Sequence, residues 1–335
     1  MKNRSKIIFG ILLLGSIVAC TQVAIPEPPA PAPITEKATQ APSAKIRVGR
    51  SVQVRDYFAF MDSLITRLDT ASQFELTEYI LVHANPWIMS RLANTDYYWR
   101  KAQGIPTPDQ SICTILRAND SLIVPNRILS EKIQDKLDNT ILDLNLPEFL
   151  LRVLEGDSIK YAFPVRIGQN RSKYLAMAGH TVDLRTHTGV GNITRISKDP
   201  AYINPSNNRV YRTTRRDDGV STKLPTIPWL EPTINGIRYG QLIHPTTNPI
   251  TLGKTSSNGC IGTKESDAWY IYYHAPLGTK IIIRYDLNII DSQGDTISLP
   301  DVYPGRKKQS ALKATQAALP MDLIKNYLID CPTCS

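Results

Sequence analysis

His244-Pro245-Thr246-Thr247-Asn248-Pro249, then Leu252-Gly253-Lys254, then Ser256-Ser257-Asn258-Gly259-Cys260-Ile261, is the stretch on which the fold and function of this chain turn. The small, turn-forming residues around Cys260 leave a thiol exposed between two elements, and His244 stands 16 residues ahead of it. A thiol attacks an acyl carbonyl as thiolate, so it needs a base or a cation nearby. A histidine on a separate strand meets that need. One cysteine and one histidine are equally the makings of a buried structural thiol, so the surrounding pattern has to decide.

Outward from this stretch, residues 140–290 read as β-rich chain. Short apolar or alternating runs span Ile141 to Leu144, Glu148 to Leu154 and Ile159 to Val165, with Glu155-Gly156-Asp157 as a hairpin turn. Further strands are expected at Leu175 to Ala178, Tyr239 to Ile243 and Thr279 to Tyr285, and a short helix at Lys264 to Tyr273. Residues 46–139 read as a mainly helical domain. Phe58, Met61, Leu64, Ile65 and Leu68 recur at helical steps. Ser72-Gln73-Phe74-Glu75 has the form of a capping box. Asn85-Pro86 reads as a cap and first-turn proline, Gly104 as a terminator, and Ser130 to Asn139 as a short polar connector helix.

The ends carry a different message. Lys2, Arg4 and Lys6 precede an apolar run from Ile7 to Ala19, the layout of an export signal too short for an ordinary membrane span. Ile17-Val18-Ala19-Cys20 resembles a bacterial lipobox, which makes residues 1–19 a removable signal and Cys20 the lipid-bearing first residue; Thr21 in place of aspartate points to the outer membrane. Residues 20–45 form a Pro-rich tether, with six prolines among residues 24–45, able to reach about 70 Å if fully extended. Residues 291–335 are a C-terminal extension with a helix expected near Met321 to Leu328. Its Cys331-Pro332-Thr333-Cys334 closes as a local disulfide, since a redox module places such a pair at the start of a helix inside an α/β unit. The formal charge of +9 falls by three with removal of the signal and is too diffuse for a nucleic-acid partner. The remaining histidines show no metal-ligand spacing with the cysteines, so no Cys-His zinc site is expected.

Over residues 140–290 the chain resembles the L,D-transpeptidase catalytic domain, or YkuD domain. The resemblance rests on the His244 to Ile261 stretch, on Leu144-Asn145-Leu146-Pro147-Glu148-Phe149 as opening strand, on Thr186-His187-Thr188-Gly189 as the Thr-Pro-x-Gly turn, and on Leu277-Gly278-Thr279-Lys280-Ile281 as closing strand. It implies an α+β protein, a helical N-terminal domain followed by a β-rich catalytic domain. It implies peptidoglycan stem peptides as substrate, Cys260 as nucleophile through a thioacyl intermediate and 3→3 cross-links as product, with no cofactor. His244 would be the base, Gly259 and Cys260 N–H groups the oxyanion donors, Ser257 a loop-shaping or His-positioning residue, and Asn258 and Thr246 substrate contacts. Three departures stand out: Gly262 where the family carries Arg, Pro245 where it carries Gly, and His187 at the turn proline. Arg185, Arg215, Arg216 and Arg238 are the candidates for a replacement cation. The departures leave open an L,D-carboxypeptidase or endopeptidase on the same fold, or a wall-binding lipoprotein with a degenerate site.

Overall fold

The computed structural model describes residues 43–70, 74–291 and 293–305. The signal, Cys20, nearly all of the tether, the Met321 to Leu328 helix and the Cys331/Cys334 pair lie outside them. Helix α1 (Val54–Asp69) buries Val54, Tyr57, Met61 and Leu64 along one stripe, the 3.6-residue period at work. Phe58, Ile65 and Leu68 border the stripe and pack on the core from half-exposed positions. Helix α2 (Glu78–Ala84) opens at Thr77, whose hydroxyl accepts the Ile80 N–H, so the cap is Thr77 and not the Ser72 box; Ser72 and Gln73 lie outside the described residues.

Asn85 is a second correction. Its amide donates to Leu81 and Ile123 carbonyls and accepts the Ile123 N–H. Three bonds outweigh the single bond of an N-cap, so helix α3 (Trp87–Ala93) starts on Pro86 without a side-chain cap. Helix α4 (Tyr97–Ala102) is capped by Asp96 and ends before Gly104, which takes the positive φ a non-glycine residue resists. Helix α5 (Arg127–Asp138) begins earlier than expected because Asn126 caps it at the Leu129 N–H.

Eight strands form the main sheet: β1 (Thr140–Asn145), β2 (Leu150–Glu155), β3 (Ser158–Pro164), β4 (Gly189–Ser197), β5 (Trp229–Ile234), β6 (Ile243–Pro245), β7 (Ile261–Thr263) and β8 (Lys280–Arg284). Their order is β7-β6-β5-β4-β8-β1-β2-β3, antiparallel except where β6 meets β7 and β8 meets β1. The strand expected over Tyr239 to Ile243 starts four residues later, because Gly240 turns the chain at positive φ before β6 can start. The strand expected over Leu175 to Ala178 is Ser172–Leu175, and the chain then turns through Gly179.

The two edges of the sheet meet. Just past β3, Arg166 and Gly262 of β7 exchange both backbone hydrogen bonds, at 2.9 and 3.0 Å. Helix α6 (Glu265–His274) leaves β7 almost immediately and is buried nearly all round, with Trp269, Tyr272 and Tyr273 inside. One hydrophobic cluster runs from Val48 in the helical half through β1, β2, β8 and α6 to Tyr303. Polar contacts cross the same seam: the Tyr57 and Tyr273 hydroxyls meet at 2.6 Å, and Tyr273 donates to Glu78 at 2.7 Å. The α+β class therefore stands, with the helices packed directly on the domain they precede. Among the described residues no helix is long and apolar enough to cross a membrane.

Candidate active site

The parallel pairing of β6 with β7 sets His244 opposite Gly262. Cys260 lies two residues before Gly262. The pairing thus brings His244 alongside the segment that follows Cys260, at the edge where Arg166 closes the sheet. Cys260 itself is partly buried and carries no disulfide.

The turn before Cys260 is held from within and from behind. Gly259 sits at φ +106°, a conformation that a side chain strains. Ser257 is buried; its hydroxyl donates to the Cys260 carbonyl at 2.6 Å and accepts the Gly259 N–H at 3.2 Å. Behind the turn, the Thr186 hydroxyl donates to the Gly259 carbonyl at 3.0 Å and accepts the Gly168 N–H at 2.9 Å. The Tyr303 hydroxyl accepts the Thr186 N–H and donates to the Gly168 carbonyl. Of the two N–H groups expected to meet an oxyanion, that of Gly259 is thus engaged inside the loop.

His244 donates from Nδ1 to the Pro245 carbonyl at 2.8 Å. A carbonyl only accepts, so the proton sits on Nδ1 and Nε2 keeps its lone pair. Trp229 packs against the imidazole, ring centres 5.3 Å apart, and Tyr202 packs edge-on against Trp229. Burial, then the charge of Arg166, push the imidazole pKa down to about 4, against the Pro245 bond. Burial also pushes the Cys260 thiol up, with Glu231 in the same direction and the Leu242 backbone and Arg166 opposing. The resting pair is neutral thiol and neutral imidazole, which suits a base that takes the proton as the sulfur attacks.

The other residues singled out in the sequence fall as follows. Thr246 is buried, with its hydroxyl inside the turn to Asn248, whereas Asn258 is exposed beside the thiol loop. His187 stacks on Tyr239 with ring centres 3.8 Å apart, and its N–H donates to Gln241. Among the candidate cations, Arg185 is paired with Asp183, Arg238 with Glu231, and Arg216 is fully buried against Glu265. Arg215 lies exposed in the Thr213–Arg215 strand. Arg166 is the cation that acts on both His244 and Cys260. Sequence reading misses it because 94 residues separate it from Cys260 and no motif surrounds it; only closure of the sheet brings it in. Among the described residues no cluster of three metal-ligating side chains occurs.

A family model, the L,D-transpeptidase catalytic domain YkuD, matches residues 139–283, which include the whole main sheet save its final residue. Among solved structures the chain is similar to an L,D-transpeptidase from Mycobacterium smegmatis, at 15% identity over 44% of this chain and 58% of that one, TM-score 0.30. It is also similar to L,D-transpeptidase 3 from Mycobacterium tuberculosis with a faropenem-derived adduct, at 13% identity over 44% of this chain and 60% of that one, TM-score 0.30. An L,D-transpeptidase from Xylanimonas cellulosilytica aligns at 14% identity over 77% of this chain and 100% of that one, TM-score 0.32. The chain thus spans less than two thirds of the two mycobacterial structures, and a search of curated proteins finds no match. The assignment rests on the family model, whose span takes in both His244 and Cys260: residues 139–283, less than half of the chain, match the L,D-transpeptidase catalytic domain and form a YkuD-like β-rich domain.

Proposed function

We propose that this protein is a peptidoglycan L,D-transpeptidase that makes 3→3 cross-links through a thioacyl intermediate on Cys260. What supports this reading is the parallel pairing that sets His244 opposite Gly262, two residues past Cys260, within the residues that match the family. The sulfur of Cys260 attacks the carbonyl of the third stem residue as His244 Nε2 takes the thiol proton. The tetrahedral oxyanion collapses, the bond to the terminal D-alanine breaks, and His244 returns the proton to the departing amine. A side-chain amine of a second stem then attacks the thioester, releases Cys260 and leaves an amide between the two stems. Trp229, backed by Tyr202, covers one side of the imidazole.

The enzyme works in the cell envelope, held by a lipid on Cys20 at the periplasmic side of the outer membrane, with residues 20–45 as tether. The helical residues 46–139 form a domain that supports the catalytic one, and Cys331 pairs with Cys334. The test is to incubate the purified full-length chain and its Cys260→Ala counterpart with disaccharide-tetrapeptides and weigh the products. Dimers short of one D-alanine, made only with Cys260 present, are expected. Tripeptide and free D-alanine without dimer would make it a hydrolase, and no Cys260-dependent product would make it a wall-binding protein.

A further inference from the structure

Nearly every arginine that is withdrawn from water in this structure has a carboxylate partner. Arg152 and Arg284 share Asp143 and Glu148, and Arg216 holds Glu265. Arg166 breaks the pattern. It is partly buried, no carboxylate among the described residues lies within ion-pair distance, and its one side-chain hydrogen bond is a long 3.4 Å contact from Nη1 to Thr251 Oγ1. Its Nε is buried without any partner. A cation drawn out of water without an ion-pair partner is unfavourable, and Asp217 acts on it only from beyond ion-pair distance.

Its position explains what it faces. His244, Gly262 and Arg166 lie in one row across three adjacent backbone segments, and Cys260 stands two residues before Gly262. A Cβ on Gly262 would stand 2.5 Å from Arg166 Nε, 2.7 Å from Cγ and 3.0 Å from Cδ. The Arg166 side chain therefore occupies the volume that a side chain at position 262 would fill, so Gly262 is what lets it lie there. The ionisable groups acting on it are Cys260, Tyr211 and Asp217. Those acting on Cys260 are Arg166 and Glu231, and on His244 it is Arg166.

We propose that Arg166 is the positioning residue that sets the charge balance of the Cys260–His244 pair, delivered from the far edge of the sheet through the gap above Gly262. Its field favours the thiolate as the thiol proton leaves and disfavours a standing imidazolium. The proposal rests on Cys260 as the working thiol but not on the identity of its substrate.

The test follows alkylation of Cys260 by iodoacetamide against pH in the full-length chain, with peptide mass spectrometry to separate it from buried Cys113. Arg166→Gln is expected to move the alkylation midpoint up by about one pH unit, the low end of what a nearby opposite charge gives, so alkylation at neutral pH slows about tenfold. Arg166→Lys is expected to keep most of the wild-type profile. Gly262→Arg alone is expected to perturb the site by collision, and Arg166→Gly with Gly262→Arg to bring the midpoint back. An unchanged midpoint in Arg166→Gln overturns the proposal. So does a lysine variant that shifts as far as the glutamine one, which would mark a packing role. A double variant that behaves like Arg166→Gln would overturn the claim that the charge acts from above Gly262. Because the readout is thiol chemistry, it stands or falls separately from the cross-linking assay.

Discussion

Arg216 Nη1 donates to Glu265 Oε1 at 2.6 Å, and both side chains are fully withdrawn from solvent. Glu265 also accepts from Gln110 and the Tyr97 N–H, while Arg216 donates to Thr222 and lies over the Tyr97 ring. This pair ties the hairpin of Thr213–Arg215 and Ser221–Lys223 to the start of α6 and the segment around α4. Asp217 in the same hairpin accepts the Ile250 N–H, so the pair reaches the loop that follows His244. Removing one member strands a buried charge. Arg216→Met is expected to cost about 3–5 kcal/mol in urea unfolding, and Arg216→Met with Glu265→Leu to recover most of that loss.

The buried imidazoles give stability a pH dependence with a definite sign. His244 is held at about 4 by burial and Arg166, and burial with the neighbouring His83 pushes His274 down to about 3. His83 is lowered too, chiefly by burial. The unfolded chain protonates these groups near pH 6.5 and the folded chain does not, so below 6.5 the unfolded state binds more protons. Unfolding free energy is expected to be flat between about pH 7 and 8, to fall steadily from about 6.5 toward 4, and to fall again at alkaline pH because burial raises the Cys260 and Cys113 thiols. Below about pH 4 the paired carboxylates add a second loss; burial raises Asp218, but its bonds to Lys101, Val220 and Tyr97 hold it at about 2. Urea midpoints across that range check the slope, and His274→Gln should flatten it.

The thiol loop offers a sharper distinction between folding and catalysis. Gly259→Ala forces a side chain into φ +106°, a strain of about 1–3 kcal/mol, and should depress turnover by more than tenfold through displacement of Cys260. Ser257→Ala removes the hydroxyl that joins the Cys260 carbonyl to the Gly259 N–H, at about 1 kcal/mol. It is expected to lower kcat with KM nearly unchanged, and steady-state kinetics on one tetrapeptide donor would show it.

The tether makes a prediction separate from the chemistry. Cys20→Ala is expected to move the protein from the membrane fraction to the soluble one while the isolated enzyme keeps its turnover. Fractionation with an activity assay on both pools decides it; full membrane retention would remove the anchor from the account.

What the sequence made legible follows from how local each signal is. The stripe of α1, the hairpin at Gly156 and the strands β1 to β3 are set by spacing within a few residues, and all form where expected within a few residues at each end. Strands β4 and β5 left no such trace. β4 carries Gly189 and Gly191, the second pressed against the Thr233 carbonyl with no room for a side chain. β5 carries Pro232, tolerated because its partner Ile193 borders a bulge. The site divides in the same way. His244, Ser257, Gly259 and Cys260 lie in one readable stretch, whereas Arg166, Thr186 and Tyr303 reach it only through tertiary contacts. Of the four arginines the sequence offers as a replacement cation, Arg185, Arg216 and Arg238 each already hold a carboxylate, which sequence does not display, and Arg215 lies exposed in its strand.

The central claim is that Cys260 carries the acyl group, and intact-protein mass spectrometry after rapid acid quench tests it most directly. With a tetrapeptide donor and no acceptor, the chain should gain the mass of the donor less D-alanine, on the peptide that contains Cys260. Cys260→Ala should gain nothing. Turnover with no adduct on Cys260 at any quench time, or turnover retained in Cys260→Ala, would contradict the account.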